Sequence, residues 1–303
     1  MHMSDALVSP QVAIVTGVIS ATMIAVSIKK IKVDNDEKMI PLMGVMGAFI
    51  FVAQMINFSI PGTGSSGHII GGILLSSLLG PWAAFLVLTS VLIIQCLIFA
   101  DGGLIALGCN IFNMGVLSCF IAYPLFFHPI LKQKVSLGRV MTASIISCIF
   151  AFELGACAVT VETLLSGITA LPFKRFLLLM LPIHFIIGLC EGVATGAVIY
   201  FIQKNQPQLL YKTTQSKVSY TKPVIIIAGI VIILGFTAGL IASSLPDGLE
   251  WSIANMGGNI IEENVISNTL MPDYNHSLSG IIGSLITIAL IYFIGVLAFS
   301  RRK

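Results

Sequence analysis

Residues 81–100 read PWAAFLVLTSVLIIQCLIFA, a run without a single Asp, Glu, Lys or Arg. Roughly 20 apolar residues in a helix cross a hydrocarbon core about 30 Å thick. The run is continuously apolar; a strand of a membrane barrel would instead be about ten residues with alternating polarity. It predicts a membrane-spanning helix. Working outward, similar runs occupy residues 7–28, 40–60, 69–80, 104–127, 140–161, 176–203, 223–243 and 278–299. The segment 69–80 is short and glycine-rich, which suits a half-helix or a tilted span, and Gly80-Pro81 punctuates its end. The expectation is an all-α polytopic membrane protein of about nine transmembrane helices.

The whole composition agrees. Of 303 residues, 56% are apolar and only 10% charged, where a soluble domain carries about 25% charge. The mean hydropathy is +1.00. Too little polar surface exists to cover such a core in water. A soluble enzyme, a disordered chain and a nucleic-acid binder are excluded.

The net charge of +3 conceals a segregation. Lys29, Lys30, Lys32 and Lys38 follow the first span. Lys132, Lys134 and Arg139 follow the fifth, Lys204, Lys212, Lys217 and Lys222 the seventh, and Arg301, Arg302 and Lys303 the last. With nine crossings these all share one side, and only Lys174 and Arg175 fall on the other. The side rich in Lys and Arg is cytoplasmic, so the N-terminus is predicted outside and the C-terminus inside. The first residues carry no Lys or Arg and no small-residue cleavage site follows, so the N-terminus is expected to be retained.

The polar stretch 204–222 reads as a cytoplasmic linker between a seven-span block, 1–203, and a two-span block, 223–303. The latter carries an outer loop, 244–277, with Asp247, Glu250, Glu262, Glu263 and Asp273 and no basic residue. Composition favours a solvated hairpin for it, and concentration of cations is the alternative. Gly188, Gly192 and Gly196, and again Gly235 and Gly239, have the four-residue spacing of closely packed membrane helices. Cys96, Cys109, Cys119, Cys148, Cys157 and Cys190 lie in or beside spans without CxxC spacing and read as small apolar packers.

Chemistry concentrates at Met1-His2-Met3. A free amine, the backbone nitrogen of residue 2 and a His2 imidazole chelate one ion through fused rings. One further nitrogen completes a planar set that suits Ni(II) or Cu(II), with Co(II) also accommodated. On the same predicted outer face lies Pro61-Gly62-Thr63-Gly64-Ser65-Ser66-Gly67-His68. His68 is the candidate fourth nitrogen; alone, it would read as an interfacial hydrogen-bonding residue. Gly62 and Gly67 have P-loop spacing, but His68 stands where that motif needs Lys, and the loop faces away from cytoplasmic nucleotide.

Glu153, His184 and Glu191 are ionisable residues within spans, and such groups mark functional sites or buried polar pairs. His184 and Glu191 are two turns apart on one face. A self-contained proton-coupled transporter using these three is therefore an alternative. Acid–base chemistry inside the membrane is a weaker one, since no nucleophile motif accompanies them. His128, before Pro129, reads as structural.

The opening Met1–Leu7 with Ser9-Pro10 resembles the substrate-specific M component of cobalt/nickel energy-coupling-factor transporters, the CbiM/NikM family. Residues 41–49, 54–72, 99–103 and 106–110, and His184 with Glu191-Gly192, carry the same resemblance over about 1–203. Ser243-Ser244 and Pro246-Asp247-Gly248-Leu249-Glu250-Trp251 resemble the family's small N component, here fused. The resemblance implies a non-enzymatic metal-capturing subunit of a prokaryotic cell membrane, with Ni(II) or Co(II) as cargo and no permanent cofactor. It implies ligation by the Met1 amine, the His2 amide and imidazole, and His68. It also implies a transmembrane T component and a pair of ABC-type ATPases as partners, the N component assisting metal loading.

Overall fold

The computed structural model describes residues 1–34, 39–131, 136–210, 221–257 and 276–300. Helices α1 (Pro10–Asp34), α2 (Met39–Met55), α3 (Gly72–Leu79), α4 (Pro81–Phe99), α5 (Leu107–Leu131), α6 (Leu137–Ser166), α7 (Phe173–Asn205), α8 (Thr221–Ile241), α9 (Gly248–Ala254) and α10 (His276–Ser300) form one bundle. A hairpin of β1 (Phe58–Ile60) and β2 (Ser65–Gly67) follows α2 in antiparallel register, with Ile60 opposite Ser65. Gly62 and Gly64, both at positive φ, turn it. The basic residues Lys38, Lys132, Lys134, Lys212, Lys217, Arg301, Arg302 and Lys303 and the acidic Glu262, Glu263 and Asp273 lie outside the described residues.

Among the described residues, six helices, α1 and α4 to α8, are long and apolar enough to cross a membrane. Two shorter apolar helices are Met39–Met55 and Ser279–Ile294. The third predicted span differs. α3 has eight residues, a rise of about 12 Å, because Gly71 and Gly80 at positive φ bracket it and Pro81 starts the next helix. Yet the chain from His68 to Pro81 is longer than α3, which packs on α4. Its first end meets Met1, and its second lies where Trp82 sits 6.0 Å from the Lys30 ammonium. An irregular stretch covers what the short helix does not. That stretch is held by side chains rather than by a helix ladder. Glu191 accepts from the backbone N–H of Ile70 at 2.6 Å and of Gly71 at 3.0 Å, and Gln54 Nε2 donates to the Ile70 carbonyl at 2.8 Å. Irregular backbone inside a bundle persists only when its polar groups are satisfied this way.

The glycine spacing works as expected. A Cβ on Gly188 would lie 2.8 Å from Ile149 Cα, and one on Gly192 2.5 Å from Ile145 Cα. Glycine there lets α6 and α7 pack backbone to backbone. α8 and α10 both pack on α2, with Gly47 against Ile291 and Gly283 against Phe51, and on each other, with Gly280 beside Gly235. The outward face of α8 exposes Ile225, Ile226, Ile233, Phe236 and Leu240, an apolar stripe that suits a hydrocarbon environment. All six cysteines carry free thiols.

Candidate metal centre

The first three residues are threaded into the end of the bundle where the 58–67 hairpin, the turn after α4 and the start of α9 meet. The physical reason is a run of main-chain bonds. Met3 N donates to Asn110 Oδ1 at 2.7 Å, while Asn110 Nδ2 at 3.1 Å and Gly103 N at 2.9 Å both donate to the Met3 carbonyl. Gly102, at φ +90°, is needed for this approach, since a Cβ would lie 2.9 Å from Asn110 Nδ2 and 3.5 Å from the His2 side chain. The Met1 side chain fills the notch of Gly155 on α6, where a Cβ would be 2.6 Å from its methyl.

This threading brings Met1, His2 and His68 together. The Met1 amine is 3.2 Å from His68 Nε2. The His2 and His68 rings stack, centroids 5.0 Å apart and planes at 24°. His68 Nδ1 lies 3.1 Å from the Ile69 carbonyl, a contact that places the ring proton on Nδ1 and leaves the Nε2 lone pair facing the amine. His2 is held by Gln95 Oε1, 3.2 Å from Nε2, and by Asp101 Oδ1, 3.3 Å from Nδ1. Gln95 Nε2 in turn donates to Gln54 Oε1 at 2.8 Å, so one amide chain links His2 to the stretch that carries His68. A cavity of about 170 Å³ opens among His2, Gln54, His68, Asp101, Asp247 and Glu250. A larger cleft of about 560 Å³ lies on the other side of His2, between residues 168–172 and α9.

The electrostatics favour metal ligation by imidazole. Burial, then the adjacent Met1 ammonium, lowers both His2 and His68 to about 3. Both rings are therefore neutral at pH 7, the state that donates a lone pair. The ammonium itself pairs with Asp247 Oδ2 at 3.0 Å. Burial, the largest single effect, would raise the Asp247 carboxyl, but the ammonium, His68 and the Glu250 backbone N–H together outweigh it and hold the group below the usual carboxylate range. Burial and the Asp247 charge raise Glu250. No three His, Cys, Asp or Glu side chains converge among the described residues. A metal here would draw on main-chain nitrogen as well as imidazole.

The acidic loop departs from the expected solvated hairpin over its first part. Asp247 caps α9 through a reciprocal capping box with Glu250, accepting from Leu249 N and Glu250 N while Glu250 accepts from Asp247 N. Ser66 N donates to the Pro246 carbonyl at 2.7 Å, and Trp251 Nε1 donates to the Thr63 carbonyl at 2.8 Å. Residues 245–251 thus seal the glycine hairpin and reach the Met1 amine.

The three in-span residues do not assemble. His184 Nδ1 lies 2.8 Å from the Met180 carbonyl, Glu191 holds the 70–71 backbone, and Glu153 Oε1 is buried without a partner. Asp101, Asp247, Gln54, Gln95 and Asn110 were not read as site residues from sequence. The available signal was lone amides in otherwise apolar runs.

Comparison with known proteins gives the family of the chain. Residues 2–209 match the family model CbiM, cobalt uptake substrate-specific transmembrane region, and residues 221–300 match the PDGLE domain. A relative from Archaeoglobus fulgidus, whose name places it among fused nickel transport proteins (NikMN), is 32% identical over 300 residues, 96% of each chain. One from Lactiplantibacillus plantarum, named among the same group as LarMN, is 28% identical over 88% of this chain and 82% of its own. A solved structure described as a truncated transition metal transporter superposes with a TM-score of 0.60 at 33% identity, over 67% of this chain and 99% of that one. The chain is a member of the CbiM family of metal-uptake membrane proteins, with a PDGLE domain fused behind it.

Proposed function

We propose that this chain is the metal-capturing subunit of an ATP-driven, energy-coupling-factor importer for Ni(II) or Co(II). The ion is taken at the outer face by the Met1 amine, the His2 amide and imidazole, and His68. The observation that carries this is the 3.2 Å approach of the Met1 amine to His68 Nε2, whose lone pair faces it. Four nitrogens from these residues make a tetragonal set suited to Ni(II), and the fused nickel relatives favour that ion.

The membrane arrangement belongs to the same proposal. Nine crossings, the third a short helix completed by irregular chain, put the N-terminus outside and the C-terminus in the cytoplasm. Residues 1–203 form the metal-binding block, 204–222 a linker and 223–303 the N component. A separate T component and two ABC-type ATPases supply the energy, since the Gly62–Gly67 loop lacks the P-loop lysine and is occupied by His68 and Trp251 contacts.

The test is metal binding by the purified full chain. One residue added before Met1 displaces the amine by about 3.8 Å and removes both its chelate and its contact with His68. Binding should fall by two orders of magnitude or more in that variant and in His68→Ala. Undiminished binding in either would sink the ligand set. Uptake by proteoliposomes holding this chain alone, driven by a pH gradient, would favour a self-contained transporter instead.

A further inference from the structure

Beside the Met1–His68 centre lies a second group of buried donors that the centre does not use. Glu162 on α6 is 6% exposed. Its Oε2 accepts from Asn113 Nδ2 at 2.7 Å, while its Oε1 and Asn113 Oδ1 are both buried without a partner. The same Asn113 nitrogen is 3.7 Å from Met3 Sδ. Cys109 precedes Asn113 by one turn of α5, and its thiol faces the Glu162 carboxylate. Thr16 Oγ1 lies 3.2 Å from Cys109 Sγ but has the Val12 carbonyl at 2.9 Å for its proton.

Among the described residues Glu162 forms no ion pair. Glu191, equally buried, receives two backbone N–H bonds; Glu162 has one side-chain amide and the weak thiol donor of Cys109. A buried carboxylate so poorly compensated is costly unless a cation joins it. The donors are a thioether, a thiol and a carboxylate. Soft sulfur ligands select transition metals over Mg²⁺ or Ca²⁺. Ligation takes the thiol proton to solvent, and thiolate plus carboxylate then match the charge of a divalent ion.

We propose that Met3 Sδ, Cys109 Sγ and the Glu162 carboxylate, held in place by Asn113, form a second binding site for a divalent transition-metal ion, joined to the first through the adjacent residues His2 and Met3. Only the identity of the ion, Ni(II) or Co(II), rests on the transport reading above. The pair of sites gives an ion that leaves the nitrogen set a sulfur- and oxygen-lined stop next to it.

The experiment uses the full-length chain in detergent, dialysed against Ni(II) or Co(II), with metal per chain counted by mass spectrometry and the Co(II) form followed by absorption. Wild type should hold two ions and show a thiolate-to-Co(II) charge-transfer band. Glu162→Gln and Cys109→Ser should hold one ion and Cys109→Ser should lack the band. His68→Ala should lose the other ion and keep the band. The ion retained in Glu162→Gln also reports that it has folded. A wild type holding a single ion, or two ions in Cys109→Ser, overturns the second site. Two ions in His68→Ala overturn the nitrogen site alone.

Discussion

The Met1 amine and Asp247 Oδ2 are 3.0 Å apart, a buried ion pair joining the first residue of the chain to the residue that caps α9. It ties the PDGLE segment directly to the amine proposed as a metal ligand. Asp247 performs two tasks at once: Oδ2 meets the ammonium and Oδ1 accepts the two N–H groups that open the helix.

Those tasks separate by substitution. Asn is as good an N-cap as Asp, so Asp247→Asn removes only the charge; Asp247→Ala also removes the cap, worth about 1 kcal/mol. Both variants leave the Met1 ammonium without its counter-charge. Thermal unfolding should place Asp247→Ala below Asp247→Asn, and both below wild type. Equal midpoints for the two variants would show that the cap is dispensable.

Acid should weaken the metal-free chain. His2 and His68 fall from an ordinary 6.5 to about 3 in the folded state. A group with a depressed folded pKa contributes stability above its unfolded value and loses it as pH falls. The unfolding midpoint should therefore decline as pH drops from 6.5 towards 3, and Asp247, also depressed, adds to the loss below its ordinary 3.8. A double His2→Gln, His68→Gln variant should show a shallower decline between 6.5 and 3. A flat wild-type profile there would contradict neutral buried imidazoles.

Glu191 positions His68 without touching it. Glu191→Gln keeps one acceptor oxygen and sets an amide against the second N–H of Ile70 or Gly71. One unsatisfied buried donor costs about 1–3 kcal/mol. Metal affinity should fall with stability in Glu191→Gln, and Glu191→Asp should recover part of both. A proton relay through Glu191 would instead change the pH dependence of uptake and leave metal affinity intact.

Glycine substitutions distinguish packing from helix propensity. Gly192→Ala forces a Cβ against Ile145 Cα at 2.5 Å, and such overpacking costs about 1–3 kcal/mol. Gly229→Ala, with nothing within 4 Å, should leave the midpoint unchanged or raise it. Parallel thermal melts of the two variants check this.

Trp251 locks α9 to the glycine hairpin through Thr63. Trp251→Phe keeps an aromatic ring and loses the N–H donor, about 1 kcal/mol. Hydrogen exchange of the 61–67 backbone should accelerate in this variant. Unaltered protection would mean that the Ser66 bonds to Leu245 and Pro246 hold the seal by themselves.

Apolar runs such as 81–100 determine helices locally, because a lipid environment requires each span to satisfy its own backbone. The glycine spacing in 188–196 likewise announced close packing, and the two ends of the chemistry, Met1-His2 and His68, stood out as rare polar residues beside glycine. Tertiary structure decided the rest. Segment 69–80 is as apolar as a span, but only Glu191 and Gln54, reaching in from other helices, allow its first residues to stay irregular. Glu162 lies at the edge of a span, and only the fold surrounds it with Asn113, Cys109 and Met3. Asp247 looked like one charge in an acidic loop until the threaded N-terminus met it. Hydropathy is a property of neighbours in sequence. The partner of a buried polar group is chosen by residues 100 or more positions away, and only the folded bundle brings them within a hydrogen bond.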